Sequence, residues 1–243
     1  MSDLLTAVGR AVASSGLDLI AATNIDAYDA VVPPTWRLGP RVPHMRSLVV
    51  LGHGGGIFWR RFAAARRRHP WLRAEADPLD AFTRHVVADA VATVTISRAM
   101  PIRVVHPFDA GPLVVSFQHL AEVAGLGRRS LLGVLLHPEY GPWMAFRAAL
   151  LVPVAVRAPR PADGFDPCPT CVLRPCVSAC PAAAVSAAGW DARRCSEARR
   201  PDDEPCGLGC HARMACVIGP EHRYSPDAMA HHQAAARAHM RRT

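Results

Sequence analysis

The sequence predicts an α+β fold followed by a small cysteine-dense unit, and three observations carry that reading. Helical and strand-like patterns follow one another without strict alternation, which favours α+β over a doubly wound sheet. All eight cysteines fall between Cys168 and Cys216. The 243 residues exceed one typical domain of roughly 150. A first domain over 1–157, a cysteine unit over 163–222 and a closing helix over 225–243 account for that length.

Leu4, Leu5, Val8 and Val12 recur at spacings of three and four, so Ser2 to Ser14 reads as an amphipathic helix. Leu17 to Ala22 reads as a short strand, and Ser47-Leu48-Val49-Val50-Leu51 as a buried one running into His53-Gly54-Gly55-Gly56. That glycine run has neither the dinucleotide fingerprint nor a P-loop ending. A helix follows through Arg68 until His69-Pro70 stops it. Asp77-Pro78 opens another helix, Asp as cap and Pro in the first turn, reaching about Val94. Strands are expected at Ile102–Val105, Leu131–Leu136 and Ala145–Val156, with a helix over Leu113–Ala124 ended by Gly125. Arg157–Asp166, with Pro159 and Pro161 and no periodicity, reads as a linker. Met229–Met240 reads as a terminal helix. Its histidines His231, His232 and His239, with His222 before it, are expected on an exposed face rather than on a metal.

Half of the residues are hydrophobic and a fifth charged, a balance that excludes disorder as the main state. The longest apolar stretches fall far short of the roughly 18 residues of a membrane span, so no membrane partner is expected. Met1-Ser2-Asp3 places an acid where a secretory signal carries cations, so a cytoplasmic location is expected. The net charge is +8 and every cation is arginine, the densest run being Arg60-Arg61 and Arg66-Arg67-Arg68. A solvated arginine surface is the expectation ahead of a dedicated polyanion site.

The chemistry sits in the cysteines. With no export signal, metal is favoured over disulfides. The first group is Cys168-x2-Cys171-x4-Cys176-x3-Cys180-Pro181. Bacterial ferredoxins carry Cys-x2-Cys-x2-Cys-x3-Cys-Pro, whose fourth thiolate ligates the other cluster. The present run matches apart from two extra residues, Arg174-Pro175 lying in the longer gap. Cys195, Cys206, Cys210 and Cys216 complete eight thiolates, the number that two 4Fe-4S clusters require. By analogy with that crossover, Cys168, Cys171, Cys176 and Cys216 hold one cluster, and Cys180, Cys195, Cys206 and Cys210 the other. The alternative is two structural zinc sites, since four thiolates also satisfy tetrahedral zinc.

Four further segments accompany the cysteines in order: Phe108-Asp109-Ala110-Gly111-Pro112, Ala124-Gly125-Leu126-Gly127, His137-Pro138-Glu139-Tyr140-Gly141-Pro142-Trp143, and Asp191-Ala192-Arg193-Arg194-Cys195. Together with the cysteine groups, over about Leu17 to Pro220, they resemble the iron-sulfur and cobalamin-dependent epoxyqueuosine reductases and their shorter relatives. The resemblance implies a nitroreductase-like first domain that binds cobalamin, followed by a ferredoxin-like module with two 4Fe-4S clusters. It further implies an oxidoreductase fed by a low-potential electron donor and acting on a small-molecule substrate. It assigns Asp109 as general acid and places Gly125, Gly127 and His137 beside the cofactor.

From the residues alone, other roles stay open. Asp109 is equally a turn or capping aspartate, Gly125 and Gly127 a helix stop, and His137 a satisfied loop histidine. Arg128-Arg129-Ser130-Leu131 replaces the family's Trp-x-Gly-Lys, and Val217 stands where a proline follows the last cysteine. The helical repeats that grip tRNA in full-length reductases are not found after Pro220, so tRNA is not expected as a partner. The rival reading is a non-catalytic two-cluster electron carrier that docks a partner enzyme.

Overall fold

The structure is a computed structural model and describes residues 3–156, 164–199, 206–207 and 209–240. The chain forms two compact units: Met1–Leu126 with Met144–Asp163, and Gly127–Trp143 with Gly164–Thr243. The segment Gly127–Trp143 therefore belongs with the cysteines, a placement that a sequence boundary near Arg157 does not express. Most of the expected linker, 157–163, lies outside the described residues.

In the first unit, α1 (Asp3–Val12) buries Leu4, Leu5, Val8 and Val12, the residues whose spacing marks it as helical. β1 (Leu19–Asn24) leads into α2 (Ile25–Asp29), a short helix with no sequence signal of its own beyond its cap, Asn24 Oδ1 accepting from Ala27 N at 2.6 Å. β2 (Ser47–Gly54) is buried at every position. α3 (Ile57–Arg68) and α4 (Pro70–Ala74) follow, then α5 (Pro78–Arg98), capped by Asp77. Proline at the first position of α4 starts a new helical turn there as well as ending α3. β3 (Arg103–Val105) and α6 (Phe117–Val123) complete the run up to Leu126.

The sheet reaches its final form only with the return strand β6 (Met144–Val152), in the antiparallel order β1-β2-β6-β3. Complete burial of β2 requires cover on both faces. Val49 and Leu51 join the main core with Phe58, Phe62 and Phe82 from α3 and α5, while α6 packs on β1 and β2. The arginines ending α3 are exposed and suit the negative end of its dipole. Arg73 Nη1 donates to Arg66 O and Arg67 O at 3.1 and 2.8 Å.

The second unit opens with the hairpin β4 (Arg128–Arg129) and β5 (Leu135–Leu136). The short helices α7 (Pro167–Thr170) and α8 (Pro175–Ser178) precede the hairpin β7 (Val185–Ser186) and β8 (Gly189–Trp190). α9 (Ala192–Ala198), α10 (His211–Met214) and α11 (Pro226–Met240) follow.

Three expected elements are corrected. Of Leu113–Ala124 only α6 is helical; Leu113 and Val115 are buried from an irregular segment that follows Pro112. Of Leu131–Leu136 only the last two residues are strand, because Ser130 to Gly133 form a turn closed by Ser130 Oγ on Val134 O at 2.6 Å. Pro153, which has no N–H for the ladder, ends the strand expected to reach Val156. The histidines before and on α11 also differ from expectation: His222, His231 and His232 are half-buried, and the side chain of His239 lies outside the described residues. Among the described residues, no helix is long and apolar enough to cross a membrane.

Candidate redox centre

The eight thiols are all free, and they divide four and four. Cys168, Cys171, Cys176 and Cys216 line one small cavity, and Cys180, Cys195, Cys206 and Cys210 line another. Local structure explains how short spacings achieve this. Cys168 and Cys171 sit at the two ends of one turn, Cys171 N donating to Cys168 O at 3.4 Å. Arg174, in the left-handed region at φ 40°, reverses the chain so that Cys176 rides on α8. α8 then ends and Cys180 leaves it, its carbonyl accepting from Ala183 N at 3.0 Å. Asp191 Oδ1 accepts from Arg194 N at 3.0 Å and starts α9, which carries Cys195. Cys210 opens α10, and Cys216 follows it, its N–H donating to Arg213 O at 3.2 Å.

Electrostatics follows the same partition. Burial pushes the Cys176 thiol up, followed by the neighbouring Cys216, Cys168 and Cys171. Burial likewise raises Cys206, followed by Cys210, Cys180 and Cys195, with Arg199 opposing. Cys216 is raised by burial first, with Cys168 and Cys171 adding to it. Four thiolates in one apolar cavity repel one another, so they coexist only around positive charge. The thiols stand around two spaces, four to each, and four-sulfur donor sets serve 4Fe-4S clusters and tetrahedral zinc alike.

The apolar walls come from both stretches of the unit. Leu131, Leu132 and Leu136 face the first cavity with Pro167, Pro175 and Ile218. Leu132 faces the second as well, beside Ala184, Val185 and Trp190. Sequence reading missed Leu132 because its segment stands about thirty residues before the first cysteine and reads as a strand of the first domain. Two glycines fasten that segment in place. A Cβ on Gly141, at φ 54°, would overlap the Ile218 carbonyl oxygen, and one on Gly219, at φ 61°, would stand 2.6 Å from Glu139 O.

The remaining sequence candidates serve the chain's own turns. Asp109 Oδ2 accepts from His106 N at 2.7 Å, Asp109 N donates back to His106 O at 3.1 Å, and Arg84 Nη2 lies 2.7 Å from Asp109 Oδ1. Gly125, at φ 84°, closes α6: its N–H donates to Glu122 O and that of Leu126 to Ala121 O, a Schellman stop. A Cβ on Gly127 would overlap the Leu136 carbonyl oxygen, so the close backbone approach expected there is to the chain itself. His137 Nδ1 accepts from Glu139 N and Tyr140 N at 3.1 and 3.3 Å. Burial holds the His137 imidazole below its usual range, with Glu139 opposing and His222 adding to the shift.

Together these features define a class: an α+β unit with a second unit whose eight cysteines line two four-thiol cavities. The sequence matches no family model and no curated protein, and the likeness to known proteins lies in structure. The chain is similar to an epoxyqueuosine reductase from Streptococcus thermophilus, with a TM-score of 0.62 at 14% identity, covering 90% of this chain and 66% of that one. It therefore spans about two thirds of the length of that reductase. It is also similar to the C. elegans B12-trafficking protein CblC, with a TM-score of 0.61 at 15% identity, covering 98% of this chain and 93% of that one. A catabolic reductive dehalogenase in complex with 3-bromo-4-hydroxybenzoic acid matches at a TM-score of 0.52 and 16% identity, over 95% of this chain and 35% of that one. The fold is that of a short epoxyqueuosine reductase-like protein.

Proposed function

We propose that the protein is an iron-sulfur reductase whose second unit, ferredoxin-like in its use of thiols, holds two 4Fe-4S clusters. The observation that carries this reading is the four-and-four division of the free thiols around two apolar cavities. When bound, the clusters supply one-electron transfer at low potential. The chain's own part is to hold each cubane by four sulfurs, to exclude water with Leu131, Leu132 and Leu136, and to keep the two sets apart. Electrons enter from a low-potential donor and leave to a small substrate at the nitroreductase-like first unit. Cobalamin as the cofactor there is supported by the fold it shares with CblC and by nothing in the placement of Gly125, Gly127 or His137.

The electron-carrier reading is kept for one reason: the carboxylate proposed as acid, Asp109, is already held by His106 and Arg84. Asp109→Asn separates the two readings, because it keeps an acceptor for His106 N. A reductase that uses Asp109 loses about a hundredfold in turnover with its iron unchanged. An electron carrier passes electrons to its partner at the wild-type rate.

The direct test is anaerobic reconstitution with iron and sulfide. About eight irons and eight sulfides per chain are expected, with a broad absorption that bleaches on reduction. Cys176→Ser and Cys206→Ser should each lose about four irons, from different cavities. Stoichiometric zinc without iron in protein purified under strict anoxia would overturn the assignment.

A further inference from the structure

A third cavity, of about 330 Å³ and partly open to solvent, lies within the cysteine-bearing unit. That volume stands at the lower end of the roughly 300–1,000 Å³ typical of small-molecule sites. Cys195 and Cys210 stand in its wall and also line the second thiol cavity, as do Trp190, Arg199 and Gln233. One layer of side chains thus separates a molecule in this cavity from whatever the second thiol set holds.

The rest of the lining is aromatic and cationic, with Trp143, Tyr224 and Arg213, and no carboxylate among the described residues lines it. Both guanidiniums are oriented by neutral acceptors, Arg199 by Gln233 Oε1 and Arg213 by Pro142 O. Arg213 also lies over the Trp143 and Tyr224 rings at 4.7 and 5.0 Å. A neutral acceptor fixes a guanidinium without cancelling its charge, so both remain able to meet an anion. Trp190 is 43% exposed, yet its ring packs so closely on Gly133 that a Cβ there would overlap it. A fixed and accessible ring of this kind is a stacking surface.

We propose that this cavity binds a planar aromatic anion that carries electrons, of the class of flavin phosphates, and that electrons enter the second thiol set from it. The proposal rests on the reading that this set holds a 4Fe-4S cluster. The ring system stacks on Trp190 and the phosphate meets Arg199 and Arg213. In the transfer, the reduced flavin is oxidised by one electron and the cluster of Cys180, Cys195, Cys206 and Cys210 is reduced by one. The only bond broken is a flavin N–H, whose proton goes to water.

The test is binding of flavin mononucleotide, followed by fluorescence quenching, to the anaerobically reconstituted full chain, with iron and sulfide measured on the same sample. Saturable binding is expected, at least tenfold weaker for riboflavin, which lacks the phosphate, and for Arg199→Gln. Trp190→Leu should weaken flavin mononucleotide and riboflavin alike. With iron intact, absence of saturable binding, or equal affinity in wild type and both variants, overturns the proposal and leaves the cluster reading standing. A sample that takes up no iron overturns the cluster reading instead.

Discussion

At the scale of single residues, Asp80 shows how a surface helix acquires a pH dependence. Its carboxyl is half-buried at the start of α5 and pushed up to about 6, by loss of water first and then by Asp77, with Arg147 and Arg84 pulling the other way. An unfolded aspartate titrates near 3.8, so between about pH 4 and 6 the folded chain holds the extra proton. Stability from this group is therefore full at low pH and is lost as pH rises through 6. Asp80→Asn removes the dependence, and its urea midpoint should gain on wild type from pH 4 to 6.5. A wild type that gains on the variant over that range would show the sign to be wrong. Gly141 gives a second residue-scale prediction. Alanine there meets both a left-handed backbone and the Ile218 carbonyl, so Gly141→Ala should cost about 1–3 kcal/mol. Urea denaturation would measure that cost, and iron analysis should show loss concentrated in the cavity of Cys216.

At the scale of elements, what was legible in the sequence depended on how long a pattern ran. Leu4 to Val12 spans more than two turns, and all four of its spaced apolar residues are buried. Asp77-Pro78 likewise marks the start of α5, although the helix runs past Val94 to Arg98 before Ala99 ends it at φ 48°. Leu113 and Val115 suit a helix or a strand equally over so few residues, and an irregular segment is what buries them. Leu131–Leu136 misled for a similar reason, since an apolar run records burial without recording shape. The cysteines line two cavities in the grouping their spacing suggests, and the intervening Arg174-Pro175 is taken up at one left-handed residue. The roles of Gly125 and Gly127 were not legible, because a glycine that ends a helix and one that admits a cofactor look alike in sequence. Gly125→Ala should destabilise the first unit by about 1 kcal/mol through α6, measured by urea unfolding, with iron content unchanged.

At the scale of the whole molecule, the cysteine-bearing unit is discontinuous in sequence. Residues 127–143 belong to it, and 144–163 return to the first unit, where β6 pairs with β2 and β3. A fragment that begins at Gly164 has every cysteine but lacks Leu131, Leu132, Leu136 and the Gly141 contact. It should retain less than about half of the iron of the full chain after reconstitution, because a small thiol unit folds with its metal and needs its walls to keep it. Iron per chain and the rate of bleaching in air would check this.

Synthesis runs in one direction, and the discontinuity then imposes an order of assembly. Leu131 and Leu132 leave the ribosome roughly 4–17 s before Cys216 does, at about 5–20 residues per second. Throughout that interval their apolar faces have no thiol cavity to close, while β6 can already join β2. On the proposed cluster reading, closure of the second unit is therefore a late event on the nascent chain, and a cell short of iron would accumulate molecules with a finished sheet and a sticky, unsealed hairpin.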